Sequence, residues 1–230
     1  MTLAQLRAKV RYFLDDASSV ATGTNQRWTD AELNSYINES YRFYYNELVA
    51  NSYDSITKTA NLALVADDET VTLPEDFYKM RLIYRVEDTT KTPLRYIRNY
   101  DGIIDTSGEG SSNYEPAYDF VGNASGVQEL VLYPKPTFSD STGLEAIYWP
   151  TMTELSDDTD SPVAGFNSQW HDLIPLRSAM WAKGGREEED VNNLAAMLKD
   201  SEQSFYKNIE RMSNARAYVE PFDIDYWGGC

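Results

Sequence analysis

The spacing of hydrophobic residues differs between the two ends of the chain and its middle. Near both ends apolar residues recur every three or four positions, which is typical of amphipathic helices. In the middle apolar and polar residues alternate, which is typical of half-buried strands. Helices are predicted over residues 2–14, 29–51, 167–184 and 187–216, and strands over 56–64, 70–73, 78–86, 93–97, 117–121, 127–133 and 144–149.

This pattern predicts an α+β protein. Two N-terminal and two C-terminal helices are expected to form a four-helix bundle-like domain, residues 1–54 with 167–216. Residues 55–150 are expected to form an inserted small antiparallel β-sandwich or barrel. Residues 151–166 are expected to form an acidic linker loop, and residues 217–230 an extended C-terminal docking tail.

The second helix has the clearest start signal in the chain. Thr29 is a good N-cap, and Glu32 lies three residues later, where it completes a capping box. Trp28 and Leu33 occupy the two positions of a hydrophobic staple, which fixes the direction in which the chain enters the helix. We predict a structural role for these four residues.

Pro175 leaves two starts open for the third helix. A helix that begins near Asn167 would be kinked at Pro175. A start near Asp172 would put Pro175 in the first turn, where its missing N–H costs nothing. Gly184 and Gly185 are expected to end this helix.

Composition excludes several classes of site. The 230 residues carry 20 Lys and Arg against 37 Asp and Glu, a net charge of −17, which argues against clamping phosphates. A single cysteine, Cys230, and a single histidine, His171, exclude an intrachain disulfide and a His-rich metal site. No apolar run approaches the ~20 residues of a membrane span. We therefore expect a soluble protein, made in the cytoplasm, without metal or other cofactor.

Asp and Glu are the only residues with catalytic or metal-binding potential that are numerous in this sequence. Asp157, Asp158 and Asp160 could bind calcium, but their spacing is not that of a calcium loop, and a solvated loop is favoured. Glu75 and Asp76 could serve a glycosidase, although two acids after Pro74 are more simply explained as a turn. No nucleophile motif surrounds His171, which is interpreted as a helix-surface or interface residue.

The basic residues of the central region alternate with aromatic ones, as on sheets that bind single strands. The net charge makes an ordinary solvated sheet face the better interpretation. The residues concerned are Lys79, Arg81, Arg85, Lys91, Arg95 and Arg98.

The C-terminal tail combines large apolar residues with acids and has no period. Buried aromatic residues often contribute much of the binding energy of protein interfaces. We therefore predict that Phe222, Ile224, Tyr226 and Trp227 are partner-binding anchors.

The order of several short motifs resembles a known family. The helix entry Arg27-Trp28-Thr29-Asp30-Ala31-Glu32-Leu33 is followed by Val71-x-Leu73-Pro74-x-Asp76-Phe77-Tyr78, Leu132-Tyr133-Pro134-x-Pro136 and Tyr148-Trp149-Pro150. Together they resemble the head-to-tail adaptors of tailed bacteriophages, the tail-tubular-protein-A-like group, over nearly the whole chain.

The resemblance implies a structural virion protein of the head–tail neck, made in the host cytoplasm. About a dozen copies would form a ring that binds the portal and tail tube, nozzle or other neck proteins. Genomic DNA would pass through the lumen without specific binding, and no membrane is involved. The resemblance brings no catalytic residues. Two alternatives are a neck-associated cell-wall glycosidase and a receptor- or glycan-binding β module of the virion.

Overall fold

The chain folds into two compact units in the computed structural model. The structure describes residues 1–16, 27–97, 117–122, 128–184 and 191–217. One unit comprises Met1–Ile56 with Met152–Cys230, and the other comprises Thr57–Thr151. The first unit contains helices and the second contains strands, which agrees with the two hydrophobic periods of the sequence.

The described part of the first unit contains four α-helices: α1 (Leu3–Phe13), α2 (Asp30–Ala50), α3 (Leu173–Gly184) and α4 (Val191–Ala217). The short helix α3 packs against each of the other three, and α1 also packs against α2. Buried residues occur all round α3, namely Leu173, Ile174, Pro175, Leu176, Ser178, Ala179, Ala182 and Lys183. Helix α3 is therefore the centre of this unit.

The prediction of a four-helix bundle-like domain flanking an inserted sandwich or barrel is wrong. Helices α1 and α3 have 11 and 12 residues, whereas α2 and α4 have 21 and 27. At about 1.5 Å per residue the short pair cannot run beside the full length of the long pair. The helices are instead arranged around α3.

Local signals explain where the helices begin. Thr2 and Thr29 are the N-caps of α1 and α2, and both capping boxes are formed, with Gln5 and Glu32 respectively. Helix α3 begins at Leu173, after a short 3₁₀ turn at Ser168–Trp170, so Pro175 lies in its first turn. Of the two starts left open by the sequence, the later one is confirmed.

Within the described ranges the second unit contains eight strands, β1 (Lys58–Leu64), β2 (Thr70–Thr72), β3 (Phe77–Glu87), β4 (Thr90–Pro93), β5 (Arg95–Tyr96), β6 (Ala117–Gly122), β7 (Gln128–Tyr133) and β8 (Asp140–Pro150). They form two four-stranded sheets, in the orders β1-β8-β3-β4 and β2-β7-β6-β5. Strands β6 and β7 pair antiparallel, as the alternation on both sides of 123–126 predicts.

The segment predicted as one strand over residues 93–97 contributes to both sheets. Pro93 ends β4, which pairs with β3, whereas Arg95 and Tyr96 pair parallel with β6. The sheet that contains β5 is therefore not purely antiparallel, a further departure from the predicted sandwich or barrel. Pro93 has no N–H to donate. Because it lies on the edge strand β4, no hydrogen bond between strands is lost.

A single hydrophobic cluster joins side chains from both sheets. Its buried members are Leu62, Leu64, Val71, Ile83, Tyr118, Leu130, Leu132, Leu144 and Ala146. Among the helices that the structure describes, none is both long enough and apolar enough to span a bilayer.

Candidate functional site

The entry to α2 is held by a buried arginine of α1. Arg11 is only 5% exposed. Its guanidinium donates to Asp16 at 2.6 Å, to Asp30 at 2.6 Å and to the carbonyl of Trp28 at 3.1 Å. Asp16, itself buried, also accepts from the backbone N–H of Arg27 at 3.2 Å. Arg11 thus fixes the position from which α2 starts.

The four helix-entry residues take part in this arrangement. The N–H of Glu32 donates to the hydroxyl of Thr29 at 3.2 Å, and a carboxylate oxygen of Glu32 accepts from the N–H of Thr29 at 2.8 Å. Trp28 and Leu33 are both buried. The ring of Trp28 meets that of Tyr36 edge to face at 6.3 Å. The geometry of these residues is that of a structural support.

A second charged group joins three helices. Arg177 of α3 donates to the hydroxyl of Tyr44 on α2 at 3.0 Å and to Glu202 on α4. Its guanidinium lies 3.7 Å from the centre of the Phe43 ring. The Tyr44 hydroxyl in turn donates to Glu202 at 2.7 Å. Burial is the main cause that raises the pKa of Tyr44, so this residue remains a neutral donor.

A groove of about 300 Å³ opens in the helical unit. One wall comes from the 3₁₀ turn and the start of α3, and the other from the middle of α4. The lining residues are Gln169, Trp170, Asp172, Leu173, Ser201, Ser204, Phe205 and Asn208. Its size lies at the lower end of the range of ligand pockets. An apolar base with a polar rim suits a segment of polypeptide.

Trp170 gives this groove an unused hydrogen-bond donor. The residue is 4% exposed, and its ring packs edge to face against Phe205 at 5.1 Å. Its Nε1–H has no acceptor in the part of the chain that the structure describes. Leaving such a buried donor without a partner costs about 1–3 kcal/mol.

The carboxylate pair considered for a glycosidase lacks the required electrostatics. Lys58 donates to one oxygen of Asp76 at 2.6 Å and the Tyr148 hydroxyl to the other at 2.7 Å. These two hydrogen bonds hold the pKa of Asp76 below its usual range. Burial, with Asp76 as a second cause, raises the pKa of Tyr148 to about 12. A general acid needs a raised carboxyl pKa, so this arrangement favours the turn interpretation of Glu75 and Asp76.

The acidic loop supports the first turn of α1. The carbonyls of Asp158 and Asp160 accept from the N–H groups of Ala4 and Leu3 at 3.2 and 2.7 Å. One oxygen of the Asp160 side chain accepts from the N–H groups of Asp157 and Ser156, which lowers the pKa of this carboxyl. Within the described ranges, no group of three or more His, Cys, Asp or Glu side chains is placed to hold a metal ion.

His171 is buried, so the helix-surface alternative of its interpretation is wrong, while the interface alternative stays a prediction. It ends the 3₁₀ turn, and its Nε2 lies 3.1 Å from the carbonyl of Phe166. Its Nδ1 lies 2.6 Å from the amino group of Met1. A neutral ring that donates from Nε2 and accepts at Nδ1 satisfies both contacts. The sequence could not show these contacts because Met1 is remote in the chain.

Basic residues of the β unit are engaged by acids and rings. Lys91 donates to both carboxylate oxygens of Glu145, at 2.6 and 2.7 Å. Lys79 lies over the Trp149 ring at 5.2 Å. These contacts favour an ordinary sheet face over a single-strand-binding one. Arg98 lies outside the described residues.

The predicted tail anchors Phe222, Ile224, Tyr226 and Trp227 all lie outside the described residues. The structure therefore places the helix-entry residues of the prediction and does not test the tail. It adds three features that the periodicity did not single out, namely Arg11, the Arg177 network and the groove. A cation within an apolar stripe, as at Arg11 beside Val10, is the signal that could have indicated the first of them.

The geometry thus consists of structural networks and one groove. The family model for the SU10 adaptor protein matches residues 1–223. The chain belongs to the SU10 adaptor protein family. No curated protein matches the chain.

Membership in the SU10 adaptor family agrees with the resemblance to phage head-to-tail adaptors. An adaptor of this kind is a structural protein of the virion neck and associates with other virion components, such as portal and tail proteins. An adaptor has a structural role, and the lowered pKa of Asp76 does not favour a catalytic acid.

Replacing Arg177 with alanine is expected to lower the free energy of unfolding of this SU10 adaptor by about 2–4 kcal/mol, because Tyr44 and Glu202 lose their common partner. Arg177→Lys should recover only part of the loss, since an ammonium cannot reproduce the planar fork and the ring contact. Urea unfolding measures the free energy of unfolding of both variants.

Arg42, exposed and paired with Glu154 in a surface ion pair, is the matched control for Arg177. Arg42→Ala should cost less than about 1 kcal/mol, and equal losses at the two positions would contradict the buried-network role.

His171 is expected to make stability depend on pH just below neutrality. Burial is the main cause that lowers its pKa from 6.5, with the Met1 amino group as a further one. The unfolded chain therefore binds a proton in a range where the folded chain does not. Stability is fully present above pH 6.5 and falls as the pH drops, by at most about 1.4 kcal/mol per pH unit.

The variant His171→Gln removes this titration, so its stability should be flat between about pH 7 and 5. The chain has no other histidine. The carboxyls of Asp68, Asp76 and Asp160, whose pKa values lie below 3.8, lose their contribution only at lower pH. Urea midpoints at several pH values make the measurement. If stability changed equally with pH in His171→Gln and in the unchanged protein, the buried neutral ring of His171 would be contradicted.

Proposed function

We propose that copies of this chain form a ring in the phage neck, between the portal and the tail tube or nozzle, in the manner of the tail-tubular-protein-A-like adaptors. The ring has about a dozen copies and a central channel for genomic DNA. The observation that carries the proposal is the family match over residues 1–223.

Native mass spectrometry of the purified chain, alone and mixed with its portal, tests the ring. The expected result is a portal complex whose mass exceeds that of the portal by about twelve chains of 26.2 kDa. A chain that stays monomeric in the presence of its portal would contradict the proposal. The same result would favour the alternative of a separate receptor- or glycan-binding module.

The charge supports a channel that does not hold DNA. A net charge of −17 repels phosphates, and the described basic residues Lys58 and Lys91 are already paired with Asp76 and Glu145. DNA would therefore slide through the ring without specific binding.

We expect no retardation of double-stranded DNA by the protein in gel-shift experiments, even at about 50 mM salt, where a protein that neutralises several phosphates binds strongly. A basic DNA-binding protein of similar mass serves as the positive control. Binding that weakens steeply with added salt would contradict the proposed channel surface.

The tail completes the proposal. Phe222, Ile224, Tyr226 and Trp227 act as anchors that insert into a neighbouring chain, since large rings in desolvated pockets often dominate interface energies. Deleting the residues after Arg216 should leave the helical and β units folded and abolish docking. Unchanged assembly of the shortened chain would refute the role of the tail.

A further inference from the structure

The groove between the 3₁₀ turn and α4 has the composition of a peptide-binding site. Trp170, Leu173 and Phe205 are buried and give it an apolar base. Gln169, Asp172, Ser201, Ser204 and Asn208 give it a polar rim, on which the carboxylate of Asp172 is paired with Lys9. The Nε1–H of the buried Trp170 has no acceptor among the described residues. A fitting occupant therefore combines bulky apolar side chains with polar groups that can bond to the rim.

The C-terminal segment of this chain has that chemistry. Residues 218–230 contain Phe222, Ile224, Tyr226 and Trp227 among Glu220, Asp223 and Asp225. An extended segment presents backbone N–H and carbonyl groups beside these side chains, so one stretch can cover the apolar base and bond to the polar rim. At up to ~3.5 Å per residue, thirteen residues extend ~45 Å, enough to reach another molecule.

The sequence favours another copy over the same chain as the source of this segment. Helix α4 ends at Ala217, while the groove residues Ser201 to Asn208 lie upstream on the same helix. Return to this groove requires an abrupt reversal, which helices commonly make with a glycine just past their end. Residues 186–227 contain no glycine.

We propose that the groove lined by Trp170, Ser204 and Phe205 receives the C-terminal segment, residues 218–230, of a second copy of this chain. This rests on the proposed function in one respect, since a ring supplies the neighbouring copy. It names the surface at which the tail anchors bind.

A peptide titration tests the groove without requiring a ring. A fluorescein-labelled peptide of residues 218–230 is titrated with the full chain, and fluorescence anisotropy is measured. Saturable binding is expected. Ser204→Trp, which places a large ring at the rim, should weaken the binding at least tenfold.

Gln203→Trp is the matched control, because Gln203 is exposed on the same helix and does not line the groove. It should leave the affinity unchanged. No binding to the full chain at a concentration where it is monomeric, or equal binding to both variants, would overturn the proposed groove. Conversely, a monomer in native mass spectrometry that still binds the peptide would contradict the ring alone.

Cross-linking identifies the source of the segment. Cys230 is the only cysteine, so benzophenone maleimide attaches to the end of the tail alone. Chains with natural nitrogen and chains enriched in ¹⁵N are mixed, irradiated and digested. The expected products join the end of a light chain to peptides of a heavy chain that contain residues 201–208. Products confined to single chains would overturn the assignment to a second copy.

Discussion

Replacing Arg11 with methionine is expected to lower the free energy of unfolding by about 3–5 kcal/mol. The guanidinium is buried and satisfies Asp16, Asp30 and the carbonyl of Trp28 at once. Methionine fills much of the same volume but leaves the buried carboxylate of Asp16 without its cation, and an uncompensated buried charge is costly. Urea unfolding followed by circular dichroism provides the measurement.

Lys9 is the matched control for Arg11. It lies on the same helix and pairs with Asp172, but both side chains are exposed, 40% and 60% respectively. Lys9→Met should therefore change the free energy of unfolding by less than about 1 kcal/mol. If Lys9→Met and Arg11→Met lowered the free energy of unfolding by similar amounts, burial would not explain how much the Arg11 network stabilises the fold.

The variant Gly165→Ala is expected to destabilise the helical unit by about 3 kcal/mol, the upper part of the range for overpacked sites. A Cβ at this position would lie 1.8 Å from the carbonyl oxygen of Ser55. The neighbour is backbone and cannot rotate away, so two chain segments must separate. Thermal or urea unfolding detects the loss.

Gly184→Ala is the control for Gly165→Ala. Gly184 is the last residue of α3, and a Cβ there would meet no atom within 4 Å. Alanine is the better helix former by up to about 1 kcal/mol, so this variant should be neutral or slightly stabilising. Equal destabilisation at the two glycines would contradict the close approach of residues 165 and 55.

The elements of the fold were largely predictable because each depends on nearby residues. The residues Leu33, Tyr36, Ile37, Tyr41, Tyr44 and Leu48 recur at three- and four-residue steps, which predicts one buried stripe along α2. All of them are buried except Tyr36, which is half-buried. Thr29 and Glu32 form their capping box three residues apart. Such signals need no knowledge of the rest of the chain.

The arrangement of the helices was not predictable from stripes alone. A bundle requires helices that each bury one face, whereas α3 has buried residues on every side. Its apolar run Leu173-Ile174-Pro175-Leu176 indicates a central helix, but the sequence left its start open between Asn167 and Asp172, and the earlier start gives a longer, more amphipathic helix. In the structure the other three helices pack around the short helix α3 and do not form the expected bundle.

The candidate site depends on contacts between residues far apart in sequence. Trp170 and Phe205 meet only after α3 and α4 have packed, and their separation in the chain has no period that reveals the groove. Asp76 likewise pairs with Lys58 and Tyr148 from two other strands. The residue types of the candidate site could therefore be read from the sequence, but the contacts between them could not, because those contacts form only in the folded chain.

Electron microscopy of the chain bound to its portal tests the central claim most directly. The account predicts a closed ring coaxial with the portal, with an open channel along the axis and contacts between adjacent copies. A single copy attached to the side of the portal, or a portal unchanged by a large excess of the chain, would contradict it.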